Sequence, residues 1–141
     1  MIVVDASVVL EALLHRVSTA AVSERLLAAR EVLHTPHLLD VEVAHVIRRY
    51  AAIGDIAPER GQAALAVLAD LPLRRYGHDF LLPRVWELRN NFTAYDAVYV
   101  ALAEALDVPL LLAISALRAP HGPTSRSRLC KAGRSSSRTP G

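Results

Sequence analysis

The chain has 141 residues, which is the size of one domain, and 52% of them are hydrophobic, which is ample for a core. Its single cysteine, Cys130, excludes an internal disulfide framework and is typical of a reducing compartment. No apolar run approaches the roughly 20 residues of a membrane-spanning helix. Asp5 interrupts the apolar N-terminus, so we expect no signal peptide. These features predict a cytoplasmic protein with no membrane span.

The net charge of +2 combines two regions of opposite sign. All 14 acidic residues lie between Asp5 and Asp107, whereas ten of the 16 basic residues lie in 1–112, which leaves that region at −4. The other six give 118–141 a charge of +6, and they are Arg118, Arg126, Arg128, Lys131, Arg134 and Arg138. Because 118–141 is also rich in Ser, Pro and Gly, we predict a basic, disordered tail after a folded domain at 1–117. Because the excess positive charge belongs to this tail, the basic isoelectric point of about 9.0 does not itself indicate nucleic-acid binding. The tail could still attract phosphate without sequence specificity.

The chain opens with a pattern typical of a parallel α/β sheet. Ile2–Val4 is a run of β-branched apolar residues, which predicts a short strand buried on both faces. A tight turn and the helical spacing of Val9, Leu13 and Leu14 follow. Parallel sheets bind ligands at the carboxyl ends of their strands, where Asp5 stands. Asp5 is therefore either a functional carboxylate or a cap of the first helix.

Strand and helix patterns alternate through the rest of the domain. Further strands are predicted at 32–34, 73–76 and 110–112, and helices at 18–30, from Thr35-Pro36 to Ala52, from Pro58 to 71, around Trp86 and over 97–106. The last of these helices is apolar nearly all round and should be buried.

We interpret Trp86 and Tyr76 as core residues. The pairs Arg48-Arg49 and Arg74-Arg75 are either solvated surface residues or contacts to RNA phosphates.

Three carboxylates occur at positions that a parallel sheet can bring to one crevice. Asp5 ends a strand, Glu42 lies at the edge of an apolar helical stripe, and Asp96 opens the apolar helix three residues after Thr93, the spacing of a capping box. Clustered carboxylates repel one another unless a divalent cation is bound. Oxygen ligands alone suit Mg²⁺ or Mn²⁺ rather than zinc. Such a metal site is typical of phosphodiester hydrolysis by activated water.

Three stretches resemble the signature motifs of PIN-domain ribonucleases, most closely the VapC toxins of type II toxin–antitoxin systems. They are residues 2–7, 36–43 and 93–104, and the third is the most specific. The resemblance covers about 1–112. It implies a three-layer α/β/α sandwich with a central parallel sheet, an RNA substrate, a homodimer and a small antitoxin that covers the site.

The resemblance also implies roles for individual residues. Asp5, Glu42 and Asp96 would be the Mg²⁺ (or Mn²⁺) ligands, and Ser7 and Thr93 would be supporting hydroxyls that orient carboxylates or water. The proposed reaction would be cleavage of RNA by metal-activated water.

The sequence departs from the family pattern after the strand at 110–112. A Thr-x-Asp that brings a fourth acid is expected there, but Ile114 stands near that place and no acid follows Asp107. The final strand of the family is also missing, and the abrupt change of composition resembles a reading-frame change near 112. An alternative is therefore a catalytically impaired PIN-fold protein that only binds its antitoxin or dimer partner. A phosphoryl-transfer or dehalogenase-like hydrolase built on Asp5 is disfavoured, because the region before the tail contains no lysine.

Overall fold

The computed structural model describes residues 1–14 and 32–113. The strands in these ranges are β1 (Ile2–Val4), β2 (Leu33–Pro36), β3 (Leu73–Tyr76) and β4 (Leu110–Leu111). The α-helices are α1 (Ala6–Leu14), α2 (Leu38–Ala52), α3 (Pro58–Asp70), α4 (Leu82–Glu87) and α5 (Ala94–Leu106), and short 3₁₀ segments lie at Asp79–Leu81 and Leu88–Asn90. The predicted helix at 18–30, the predicted tail at 118–141 and the predicted loss of the final strand lie outside the described residues.

The four strands form one parallel sheet in the order β3-β2-β1-β4. Val3 pairs with His34 on one side and with Leu110 on the other, so β1 is an inner strand. Right-handed crossovers place the helices that join β1 to β2 and β2 to β3 on one face of the sheet. The connection from β3 to β4 runs in the opposite direction, so α4 and α5 lie on the other face. The three-layer α/β/α prediction is confirmed.

The core lies between the sheet and these helix layers. Val3 and Val4 are fully buried, as the unbroken β-branched run predicts. On α2, the side chains of Leu39, Val43 and Ile47 recur at four-residue intervals and are buried. On α5, which is apolar nearly all round, six residues are buried: Ala97, Val98, Tyr99, Ala101, Leu102 and Ala103. The predicted burial of this helix is confirmed.

The boundary between β2 and α2 differs from the prediction. Thr35 and Pro36 do not cap the helix; they continue β2 and pair with β3. The Thr35 hydroxyl donates to the carbonyl of Val4 at 3.1 Å, and the backbone N–H of His37 donates to the carbonyl of Tyr76 at 2.8 Å. The strand therefore ends beside the carboxyl end of β1, and α2 begins at Leu38.

Trp86 is the clearest error of the sequence interpretation. Its side chain is 69% exposed, and the Arg89 guanidinium carbon lies 4.7 Å from the ring centroid. Leu81 and Val85 face the core four residues apart. Since neighbouring residues on a helix point about 100° apart, burying Val85 turns Trp86 outward.

Two further regions were predicted with partial success. The strand at 110–112 forms only at Leu110 and Leu111, which are half-buried, and Leu112 is exposed. Among the described strands β4 pairs only with β1, so it is an edge strand and is only half-buried. Tyr76 is half-buried, and its hydroxyl lies 2.7 Å from Nδ1 of the buried His34.

None of the described helices is long and apolar enough to cross a membrane.

Candidate active site

The candidate site lies at the carboxyl end of β1, where the strand connections reverse direction. The chain leaves β1 into one helix layer and enters the neighbouring strand β4 from the other layer. The carboxyl end of β1 is therefore the topological switch point of the sheet. The backbone N–H of Asp5 donates to the carbonyl of Leu111 at 3.4 Å. The backbone N–H of Ala113 donates to the Ser7 hydroxyl at 3.2 Å. Ala113, two residues after β4, therefore lies near Asp5.

The Asp5 carboxylate is held by the first turn of α1. The Ser7 hydroxyl contacts both carboxylate oxygens, at 2.7 and 2.8 Å, and the backbone N–H of Val8 donates to Oδ1 at 3.0 Å. Asp5 thus caps α1, which is one of the two roles that the sequence suggested for it. The cap also fixes the carboxylate at the switch point, so the structural and functional interpretations are compatible. The predicted contact of Ser7 with a site carboxylate is present.

Glu42 reaches the site from α2 and is half-buried. Its Oε2 accepts a hydrogen bond from the hydroxyl of Tyr99 on α5. Tyr99 was not among the residues singled out from the sequence. The available signal was its position three residues after Asp96, on the same face of a helix that should be buried, where a phenol hydroxyl needs a partner.

Asp96 stands in the first turn of α5 and is exposed. Thr93 is the N-cap: its Oγ1 accepts from the backbone N–H of Asp96 at 3.1 Å and donates to Asp96 Oδ2 at 2.8 Å. The cap prediction is therefore half correct, because the Asp96 carboxylate binds the Thr93 hydroxyl instead of its backbone N–H.

Electrostatic coupling links the three carboxylates. Burial raises the pKa of Asp5, and the charge of Asp96 raises it further. Burial also raises the pKa of Glu42, to which the charges of Asp5 and Asp96 both add. Hydrogen bonds from Ser7 and Tyr99 oppose these shifts without cancelling them. In the absence of a cation, the site is thus short of compensating positive charge.

The donor set fits a hydrated hard cation rather than a closed metal cage. Its donors are carboxylate and hydroxyl oxygens, which Mg²⁺ and Mn²⁺ prefer. Across 1–14 and 32–113, no group of three or more His, Cys, Asp or Glu side chains is placed closely enough to hold a metal ion. Mg²⁺ usually keeps several waters and takes one or two carboxylates directly.

The arginine pairs divide in the structure. Arg48, Arg49 and Arg74 are exposed. Arg75 is tied into the fold: its guanidinium donates to the Asp40 carboxylate at 2.9 Å and to the carbonyl of Leu68 at 2.9 Å. Arg75 is therefore not a solvated surface residue.

Comparison with known proteins identifies the family. The model of the PIN domain matches residues 2–113. Ribonuclease VapC1 of Mycobacterium tuberculosis is 46% identical over 121 residues, which covers 85% of this chain and 90% of that protein. The chain belongs to the VapC ribonucleases of the PIN domain family. The resemblance seen in the sequence is confirmed.

Solved VapC structures share the fold. The crystal structure of Mycobacterium tuberculosis VapC20, described as a Sarcin-Ricin loop cleaving toxin, superimposes with a TM-score of 0.61 at 15% identity. The match covers 77% of this chain and 85% of VapC20. VapBC2 from Rickettsia felis, bound to a DNA fragment from its promoter, gives a TM-score of 0.60 at 16% identity and covers 85% and 94% of the two chains. At these identities the likeness concerns the fold.

Proposed function

We propose that this VapC protein is the toxin of a type II toxin–antitoxin pair and acts as a Mg²⁺-dependent endoribonuclease. Asp5, Glu42 and Asp96 would hold the cation, and Ser7 and Thr93 would orient the carboxylates of Asp5 and Asp96. The observation that supports the proposal is the electrostatic coupling of Asp5 and Glu42, near the switch point of the sheet, to each other and to Asp96 on a third element.

The protein residues perform three tasks in this proposal. The Asp5 and Glu42 carboxylates concentrate negative charge at the edge of the sheet, where burial strengthens their attraction for a cation. Ser7, through its bonds to both Asp5 oxygens, restricts the rotation of that carboxylate. Asp96, being exposed, leaves the site open on the side from which a polynucleotide would approach. A bound Mg²⁺ would polarise the phosphodiester and lower the pKa of a water nucleophile.

Two partners belong to the proposal. Membership of the VapC family, together with a structural neighbour that is a VapBC2 protein, supports a small antitoxin as one partner. The other partner would be a second copy of this chain, forming a homodimer. Both are assemblies to test with the purified protein.

The alternative function is a catalytically impaired PIN-fold protein that only binds these partners. The specific observation in its favour is the lack of any acid after Asp107. The N–H of Ala113 contacts Ser7, so Ala113 lies near Asp5, which Ser7 also contacts. A missing fourth carboxylate at this place would weaken the hold on a cation.

An RNA cleavage assay separates the two functions. The unaltered chain, Asp5→Asn and Asp55→Asn are incubated with a long mixed-sequence RNA in Mg²⁺ or in EDTA, and new ends are mapped. Asp55→Asn is the matched control, since Asp55 is an exposed acid in the turn after α2. Cleavage that needs Mg²⁺ and is lost only in Asp5→Asn supports the endoribonuclease.

The remaining outcomes of the assay are also decisive. Cleavage that persists in EDTA contradicts the metal mechanism. If the unaltered chain is inactive but Ile114→Asp cleaves RNA in Mg²⁺, the impaired-protein alternative is correct.

A further inference from the structure

We propose that Tyr99 is a positioning residue: its hydroxyl holds one oxygen of Glu42 so that the other oxygen faces the cation. The proposal rests on the proposed function, because it assigns Tyr99 a role at the same site. It goes further by adding a residue that touches neither the cation nor RNA and acts through Glu42.

The first argument is the placement of the hydroxyl. Tyr99 is only 4% exposed, so its hydroxyl has little access to water. The hydroxyl donates to Glu42 Oε2 on α2, and the backbone N–H of Ala6 at the start of α1 also interacts with it. Tyr99 itself lies on α5, one turn after Asp96. One hydroxyl thus lies between the three elements that carry Asp5, Glu42 and Asp96.

The second argument is a comparison of the three carboxylates. Each accepts a hydrogen bond from a side-chain hydroxyl: Asp5 from Ser7, Glu42 from Tyr99, and Asp96 from Thr93. Ser7 and Thr93 are two and three residues from their acids, so their bonds lie within one turn. The bond from Tyr99 spans 57 residues and joins two helices from opposite layers. Tyr99 therefore fixes the distance between helices, which the two local bonds cannot do.

The third argument concerns the chemistry of Glu42. A carboxylate has two oxygens, and the bond to Tyr99 engages Oε2, which leaves Oε1 available to a cation. Glutamate has several rotatable bonds and loses considerable freedom when it is ordered. A hydroxyl that orders Glu42 in advance reduces this cost at the moment of binding. Loss of such outer contacts typically weakens metal binding 10- to 100-fold.

The test is the Mn²⁺ affinity of the full chain, measured by calorimetry for the unaltered protein, Tyr99→Phe and Tyr95→Phe. Tyr95→Phe removes the same hydroxyl from an exposed position on the same helix and serves as the control. We expect Mn²⁺ to bind about 10- to 100-fold more weakly to Tyr99→Phe and with unchanged affinity to Tyr95→Phe. Equal affinities of all three proteins overturn the proposal.

A double variant shows whether Tyr99 acts through Glu42. Glu42→Gln should weaken Mn²⁺ binding, and adding Tyr99→Phe to it should weaken binding no further. The double variant also removes the half-buried charge of Glu42 that Tyr99→Phe alone leaves without its donor. The measurement therefore remains possible if the single variant unfolds. A further loss in the double variant contradicts the proposal.

Thermal melting in EDTA separates positioning from a structural role. If Tyr99 only stabilises the fold, Tyr99→Phe lowers the melting temperature while its Mn²⁺ affinity stays normal, which overturns the proposal. If Glu42→Gln weakens Mn²⁺ binding and Tyr99→Phe does not, the proposal fails and the proposed function stands. If the unaltered chain binds no Mn²⁺, both fail.

Discussion

Replacing Asp96 by Asn distinguishes a helix-capping acid from a metal ligand. Asp96 lies in the first turn of α5, and its carboxylate accepts from the Thr93 hydroxyl. Asn retains a side-chain oxygen that can accept this bond but carries no charge. The variant therefore keeps most of the local structure and removes the charge that would hold a cation.

The expected magnitudes differ between metal-free and metal-loaded protein. Without metal, loss of a negative charge at a helix N-terminus costs about 0.3–1 kcal/mol, and relief of its repulsion with Asp5 and Glu42 offsets part of that cost. With Mn²⁺ at 100 times its Kd, binding stabilises the unaltered chain by about 2.7 kcal/mol. A variant that binds 100-fold more weakly would gain only about 0.4 kcal/mol under the same conditions. The metal-dependent difference is thus larger than the metal-free one.

Thermal denaturation followed by circular dichroism, in EDTA and in Mn²⁺, measures both differences. The matched control is Glu104→Gln, which replaces an acid by its amide at the other end of α5, where Glu104 pairs with Arg84. We expect Mn²⁺ to raise the melting temperature of the unaltered chain and of Glu104→Gln by several degrees, and that of Asp96→Asn much less. An equal rise in all three refutes the role of Asp96 in metal binding. A metal-free loss above about 2 kcal/mol in Asp96→Asn would identify the carboxylate as mainly a cap.

Two further predictions concern other residues. Burial raises the pKa of Asp5 above its ordinary 3.8, so the stability it contributes is present below that pH and is lost as the pH rises through the folded-state pKa. Urea denaturation in EDTA should therefore show the stability of Asp5→Asn, relative to the unaltered chain, increasing from acid to neutral pH; a constant or falling difference contradicts this sign. The single tryptophan, Trp86, is exposed, so its fluorescence should have the long emission wavelength of a solvated indole and be strongly quenched by acrylamide. A short emission wavelength with weak quenching would place Trp86 in the core instead.

Much of the fold was predictable because its signals are local. The β-branched run at Ile2–Val4 can be buried only between two layers, and Pro58 begins a helix as expected. α2 ends before Gly54, whose φ of +82° lies in the left-handed region that favours glycine. In each case a few neighbouring residues determine the conformation, so the sequence pattern carries the information.

The remaining features depend on contacts between distant residues. Thr35-Pro36 has the local chemistry of a helix start, but the Thr35 hydroxyl meets the carbonyl of Val4, 31 residues away, and the strand continues. Trp86 is apolar, yet the orientation of α4 is set by Leu81 and Val85. A sequence pattern predicts which face of a helix is apolar. It does not predict which apolar residue at the edge of that face is exposed to solvent.

The residues of the candidate site also divide into those that local sequence patterns predict and those that depend on contacts between distant residues. Asp5, Glu42 and Asp96 could be singled out because each stands at an element end or the edge of an apolar stripe. The Tyr99–Glu42 bond depends on how α5 and α2 are placed on opposite faces of the sheet, and no local pattern contains that information. Likewise, Arg75 looks like a surface residue until β3 places it beside Asp40.

The most direct test of the central claim is a crystal structure of the protein soaked in Mn²⁺, with the ion located by its anomalous scattering. We predict a peak at the carboxyl end of β1, with Asp5, Glu42 and Asp96 bound to the ion directly or through one water. A peak elsewhere, or no peak at saturating Mn²⁺ while the three carboxylates contact only Ser7, Tyr99 and Thr93, would contradict the account.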